Sequence, residues 1–282
     1  MTWHRELRLL QRDRRHGSLT LLERFVALCY RMQSAGASAE DFHRSVHQLV
    51  DAHPAMALFR NLASRFESLL TEGAPSQAFL AEAESFLQTL QHHVDRAAEI
   101  AAAFLPTGAT VLTHSASSHV QRVLQKILQL DKRIRLFCTI SEPGREGIQL
   151  ARWAHSSGIP VVLLAESQVS VLAASVHLFL IGSDGVCLDG VIHKVGTALL
   201  AHYLWLEHRP VWVLSCSEKF LPEHWGEELV GTAPRLCRGA LPQATPLYDC
   251  TPWEYLTVLI TEQGFEEAPT VRERLSQRRS PV

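Results

Sequence analysis

The run Ile181-Gly182-Ser183-Asp184-Gly185-Val186-Cys187-Leu188-Asp189-Gly190-Val191-Ile192-His193-Lys194-Val195-Gly196-Thr197 decides how this chain is read. The apolar stretch from His177 to Ile181 reads as a strand that runs into a carboxylate, Asp184. Beyond it the spacing predicts a short hairpin with Asp189-Gly190 as its turn. The favoured two-residue turn needs positive φ at both central positions, which Asp-Gly tolerates. Lys194-Val195-Gly196-Thr197 then opens an apolar helix from about Ala198 to Leu206. Gly196 and Thr197 at a helix start, with Lys194 before them, make a candidate anion site, because free backbone N–H groups and one positive charge converge there. An acid and a phosphate-sized site thus fall within one loop.

Outward from that loop, residues 106 to 282 alternate short apolar runs with helical stretches. The runs are Thr110 to Leu112, Ile134 to Ile140, Val161 to Ala165, Leu178 to Ile181 and Val211 to Ser215. Ser118 to Leu130, Glu146 to Ser156 and Lys194 to Glu207 lie between them as helices. This alternation predicts an α/β domain of Rossmann-like build, a parallel sheet with helices on both faces. Ligands of such sheets bind beyond the carboxyl ends of the strands. His114 and Ser115, Ser141 and Glu142, Asp184, and Ser217 to Lys219 should therefore gather at one rim. No Gly-x-Gly-x-x-Gly or Walker-type loop is present, so neither a dinucleotide nor a P-loop site is supported.

Residues 1 to 105 read instead as a helical bundle. Leu22, Phe25, Val26 and Cys29 follow the i, i+3, i+4, i+7 rule. Leu80, Ala83, Leu87, Leu90, Val94, Ala97 and Ala101 form a longer stripe, preceded by Gly73-Ala74-Pro75-Ser76 as a helix-start signal. Pro106-Thr107-Gly108 marks the boundary between the two expected domains. The tail from Arg272 is polar and expected to fray.

The net charge of −2 gives no nucleic-acid footprint. Arg12, Arg14, Arg15 and His16 form a local basic cluster, either a solvated helix end or a phosphate contact. No signal peptide or membrane span is read, and the six cysteines lack CxxC spacing. The expectation is a cytoplasmic protein with reduced thiols, no metal and no cofactor.

Gly182-Ser183-Asp184 through Lys194-Val195-Gly196-Thr197 resembles the signature of a family that joins the alpha, beta and delta subunits of translation initiation factor 2B to two sugar-phosphate isomerases. Those isomerases act on methylthioribose-1-phosphate and ribose-1,5-bisphosphate. Thr113-His114, Glu146-Gly147, Gly158-Ile159-Pro160-Val161, Glu218-Lys219-Phe220, Asp249-Cys250-Thr251-Pro252 and Thr261-Glu262 follow in the family's order.

The resemblance implies a phosphorylated small-molecule ligand, a pentose phosphate or nucleotide, and a homo-oligomer paired through the carboxyl-terminal part, where Trp253, Tyr255 and Leu256 lie. Asp184 stands at the acid/base aspartate of the isomerases. Ser115 stands where they carry a cysteine, and its hydroxyl is a poorer proton donor and base at neutral pH than a thiol. Glu142 stands where they carry an arginine, with Arg145 as a shifted replacement. His114, Lys194, Gly196, Thr197 and Lys219 are retained as candidate ligand contacts, and Gly17 and Ser18 sit at the family's amino-terminal phosphate motif. Each also has a plainer reading: Asp184 as a turn cap or partner of Lys194, Lys219 as a strand-end charge, His114 as a satisfied core residue, and Gly196 and Thr197 as an ordinary helix start. The resemblance implies a degenerate sugar-phosphate site in a regulatory or assembly subunit, with an aldose–ketose isomerase as the alternative.

Overall fold

The computed structural model describes residues 3–226 and 246–277. Cys237 and the end of the tail lie outside them. The amino-terminal half is helical: α1 (Trp3–Arg12), α2 (Ser18–Ser34), α3 (Ala39–Ala52), α4 (Ala57–Thr71) and α5 (Ser76–Phe104). Its core is a cluster of aromatic rings, Phe25, Phe42, Phe59, Phe66, Phe79 and Phe86, packed with Leu22, Cys29 and Met32. Phe66 meets Phe79 edge to face at 5.1 Å, the geometry that the ring quadrupoles favour. Ser38 caps α3 reciprocally with Asp41, satisfying two otherwise orphaned N–H groups.

On α5 the buried stripe is Phe79, Ala83, Phe86, Leu90 and Val94, while Leu80 and Leu87 pack at its margin. The stripe is rotated slightly from the one expected, because the larger rings of Phe79 and Phe86 bury more apolar area than leucines. The far end of α5 carries Ala98, Ala101 and Ala102 into the core of the sheet region. One helix thus contributes to both halves.

The second half contains β1 (Thr110–Thr113), α6 (Ser118–Gln129), β2 (Arg135–Thr139), α7 (Gly147–Ser156), β3 (Val161–Leu164), the single turn α8 (Val169–Leu172) and β4 (Leu178–Ile181). There follow β5 (Gly185–Val186), β6 (Gly190–Lys194), α9 (Thr197–Leu206), β7 (Val211–Leu214), β8 (Tyr248–Pro252), β9 (Val258–Thr261), β10 (Gly264–Glu266) and α10 (Ala268–Gln277). The main sheet runs β10-β9-β7-β4-β1-β2-β3. All its pairings are parallel except β9 with β10.

Successive residues point to opposite faces of a strand. Val111, Leu136, Leu178 and Leu180 therefore pack with α6 and α7. Leu112, Phe137, Phe179, Ile181 and Val213 pack with α9 and α10 on the other side. The strand order reverses direction at β1, so a crevice opens between the carboxyl ends of β1 and β4.

Two local expectations are corrected. Cys187 and Gly190 exchange backbone hydrogen bonds, so the hairpin turn is Leu188-Asp189 rather than Asp189-Gly190. Asp189 is not among the residues with positive φ. Gly190 serves packing: a Cβ there would lie 2.0 Å from the Thr251 carbonyl oxygen of β8. The tail does not fray at Arg272, because α10 buries Val271 and Leu275 and lays Arg274 over the Phe220 ring at 4.3 Å.

Candidate functional site

Ser115 follows β1 and Asp184 follows β4, so both stand at the crevice where the strand order reverses. Ser115 and Ser141, past the ends of β1 and β2, both hold φ of 70°. Left-handed backbone at a non-glycine residue is costly and persists where its surroundings impose it. The Ser141 hydroxyl accepts the Ser115 N–H at 2.7 Å and Glu166 accepts the Ser141 N–H at 2.5 Å, which holds the two turns together. Asp184 is fixed by its backbone: its N–H donates to Ile192 across the hairpin, and its carbonyl accepts the Ala57 N–H at the start of α4. The helical half is thereby tied to the crevice.

Burial pushes the Asp184 carboxyl above the usual carboxylate range. Lys219, the Ser18 hydroxyl and Lys194 oppose that rise, while Glu146 adds to it. Lys194 does not pair with Asp184; its ion-pair partner is Glu146, at 2.8 Å. The two side chains are 6% and 13% exposed, so the pair is shielded from salt. The same Glu146 oxygen accepts the Ser115 hydroxyl at 3.3 Å. A lysine and a serine that approach Asp184 from the sheet thus share one internal carboxylate. Among the described residues, the second oxygen of Glu146 is buried without a partner.

The start of α9 also meets an anion, but one supplied by the chain. Gly196, at φ of 99°, turns its N–H to the Asp249 carboxylate at 2.7 Å, and Ala198 donates to the same oxygen at 3.2 Å. Burial raises Asp249 to about 6, and these two N–H groups hold it down from a higher value. The Thr197 hydroxyl donates to the Lys194 carbonyl at 2.5 Å. Gly196 and Thr197 therefore shape the Lys194 turn, and their helix start is capped from β8.

The opposite wall is the loop between α1 and α2. Asp13 organises it: its oxygens accept the N–H groups of Arg15 and His16 at 2.9 and 3.2 Å, His16 Nδ1 at 2.8 Å and Arg24 at 2.6 Å. Burial opposes the charge on Asp13, yet these donors hold its carboxyl down to about 2. Gly17 at the start of α2 supplies no side-chain cap. Arg14, Arg15, His16 and Gly17 line a narrow cleft of about 50 Å³ with Ser115, Glu146, Asp184, Lys194 and Tyr248. A second cleft, of about 40 Å³, joins Gly17 and Ser18 to Ser115, Asp184, His119, His193 and Lys219. Arg12, Arg14, Arg15, His16 and Arg24 also border a wider opening of about 780 Å³ beside Pro143 and Leu247.

The structure thus brings Gly17, Ser18, Ser115, Asp184, Lys194 and Lys219 together. Lys219 is set by a single 3-10 turn, and its ammonium donates to the Ser183 carbonyl at 2.5 Å. Asn61 of α4 holds that turn by donating to the Glu218 carbonyl at 2.6 Å. His114 stands behind the wall with both nitrogens engaged. Nε2 meets the Val195 carbonyl at 3.0 Å and must carry the proton, so Nδ1 accepts the Thr139 hydroxyl at 2.6 Å. Burial lowers its pKa to about 4. Glu142 and Arg145 are exposed, pair with each other at 3.4 Å and line neither narrow cleft.

Three participants escaped the sequence reading. Glu146 was legible only as part of a Glu-Gly pair, Asp249 only as part of a distant motif, and His119 carried no signal beyond a helix start.

Residues 11–268 match the model of the initiation factor 2 subunit family. The chain is 30% identical over 223 residues to an eIF-2B subunit 2-like protein of Pyrococcus horikoshii, covering 79% of each. It is 23% identical over 249 residues to a ribose 1,5-bisphosphate isomerase of Methanocaldococcus jannaschii, covering 83% of this chain and 81% of that one. The crystal structure of a Pyrococcus horikoshii translation initiation factor eIF-2B superposes with a TM-score of 0.84 at 26% identity, over 95% of this chain and 98% of that one. The chain belongs to the initiation factor 2 subunit family.

Proposed function

We propose that this chain is a phosphometabolite-binding member of its family, a regulatory or assembly subunit whose inherited sugar-phosphate site holds a ligand without converting it. The observation that carries this reading is the double engagement of Glu146. Aldose–ketose conversion needs one group to take a proton and another to give one, on either side of the substrate. Asp184 can exchange a proton, but Ser115 is a hydroxyl already bonded to a carboxylate, and Lys194 is neutralised by the same group. Binding asks less. Arg14 and Arg15, the Ser18 end of α2 and Lys219 offer a cationic wall for a phosphate, because helix starts and guanidinium groups both favour anions.

A pentose phosphate or a nucleotide fits this chemistry: its phosphate would lie at the Arg14–Ser18 loop and its sugar toward Asp184. Thermal melting tests the reading. Inorganic phosphate, ribose-1,5-bisphosphate and AMP, each in millimolar excess, should raise the melting temperature by mass action, the esters more than phosphate. An Arg14→Ala/Arg15→Ala variant should lose the shift. No shift with any of the three would refute the reading.

The isomerase reading keeps one observation in its favour, the upward shift that burial gives the Asp184 carboxyl, which suits a group that both takes and gives a proton.

The chain is also proposed to form a homo-oligomer. α9 is apolar all round: Leu200, Ala201 and Leu204 are buried, while Leu199, Trp205 and Leu206 are exposed. Val171, 81% exposed, follows Ser170, whose carbonyl accepts the Tyr203 hydroxyl of α9. An apolar face of this kind marks a protein–protein contact, and a second copy of this chain offers the same face to it. Tyr255 stacks on His202 of α9 at 4.5 Å, beside the patch, whereas Trp253 is core and donates to the Leu188 carbonyl.

A further inference from the structure

Far from the crevice, in the helical half, two histidines and a glutamate converge. His43 and His47 are one turn apart on α3, flanking the buried line of Phe42, Val46 and Leu49. Residues four apart lie on one helix face, so both rings turn the same way. Glu67 stands on α4 next to the buried Phe66. One ligand atom from each of the three lies within 4.8 Å of the others. The ring centroids are 4.3 Å apart at 50°, not stacked face to face. Among the described residues, Nε2 of both rings is buried with no hydrogen-bond partner. Two adjacent unpaired buried nitrogens call for an explanation, since such groups are nearly always satisfied.

We propose that His43, His47 and Glu67 form a binding site for one divalent transition-metal ion, Zn²⁺ or a close analogue, that clips α3 to α4. Two imidazole nitrogens and one carboxylate oxygen are the donor set such ions accept, with water completing the shell. Three atoms within that spacing share a point no more than about 2.8 Å from each, close to metal–ligand bonds of about 2.0–2.2 Å. Glu67 is exposed and free to swing inward. The carboxylate offsets half the charge of the ion. The oxygen-only ions Ca²⁺ and Mg²⁺ are disfavoured by the two nitrogens.

The full chain is titrated with Zn²⁺ against a chromophoric chelator, and with Co²⁺ while its visible spectrum is recorded. One equivalent of Zn²⁺ is expected to bind. Co²⁺ should show the visible bands of a four- or five-coordinate ion. His43→Ala and His47→Ala should each weaken binding by at least about tenfold, a loss no smaller than that seen for outer-shell partners. Glu67→Gln, at an exposed position that leaves the fold intact, should weaken it and shift the Co²⁺ bands. His92→Ala, on another helix, should change nothing. Zn²⁺ should raise the melting temperature of the parent and not of the His43→Ala/His47→Ala variant. No Zn²⁺ binding at micromolar concentration, or binding and Co²⁺ bands that survive in Glu67→Gln and in the double variant, would overturn the proposal.

Discussion

Glu146 and Lys194 face each other at 2.8 Å in the wall of the crevice, a few residues past β2 and at the end of β6. Glu146 supplies, from inside the chain, the negative charge that a bound anion would otherwise bring to Lys194. Removing one partner of a shielded pair leaves the other charge uncompensated. Glu146→Gln should therefore cost about 3–5 kcal/mol of stability without ligand. It should also strengthen the binding of phosphate esters, because Lys194 is released to them. Thermal melting with and without phosphate checks both: the variant melts lower alone and shows the larger ligand-induced rise.

Asp13 is predicted to be the structural keystone of the arginine loop. Asp13→Asn keeps the shape but loses the charge that holds His16 and Arg24. It should destabilise the chain by about 1–2 kcal/mol and weaken ligand binding, as Arg14 and Arg15 lose their fixed placement. Chemical denaturation reads the first effect and calorimetric titration the second.

The buried histidines set the acid limit of the fold. Burial lowers His53 and His114 to about 4, and holds His119 and His193 well below the ordinary imidazole value. A base with a depressed folded-state pKa binds more protons when unfolded. Its stabilising contribution is complete above the unfolded value near 6.5 and is lost as pH falls. Between about pH 6.5 and 4, each should remove up to about 1.4 kcal/mol per pH unit. Asp249, raised to about 6, and Asp184, which burial also raises, work the other way, two groups against four. The melting temperature should thus drop steeply from pH 6.5 to 4.5, and His114→Gln should flatten the drop.

The exposed face of α9 makes a separate prediction. The parent should scatter light as a multiple of 31.5 kDa at micromolar concentration. Leu199→Asp/Trp205→Glu should return it to a single copy without a loss of helicity, since neither residue belongs to the core.

Strand and helix alternation was legible because apolar runs such as Leu178 to Ile181 are buried on both faces and carry no competing period. The approach of Ser115 to Asp184 followed from strand-end placement alone. What stayed hidden depends on pairings across long separations. Nothing local says that Asp249 caps α9, fifty residues before it, because its partners are backbone N–H groups that every helix start exposes. The Glu146–Lys194 pair is hidden for the same reason, as many carboxylates were available to Lys194. The basic cluster at Arg14 and Arg15 allowed two readings, and only the folded loop sets it against the crevice. His43 and His47 are visible as an i, i+4 pair, but Glu67 joins them through the packing of α3 on α4.

The direct test of the central claim is phosphorus NMR of the purified chain mixed with ribose-1,5-bisphosphate, followed over hours and repeated with Asp184→Asn. The substrate resonances should shift or broaden on binding and no product resonance should grow, with the parent and the variant alike in this. Product formation by the parent that Asp184→Asn abolishes would contradict it, and would make this chain an isomerase in which a serine serves at position 115.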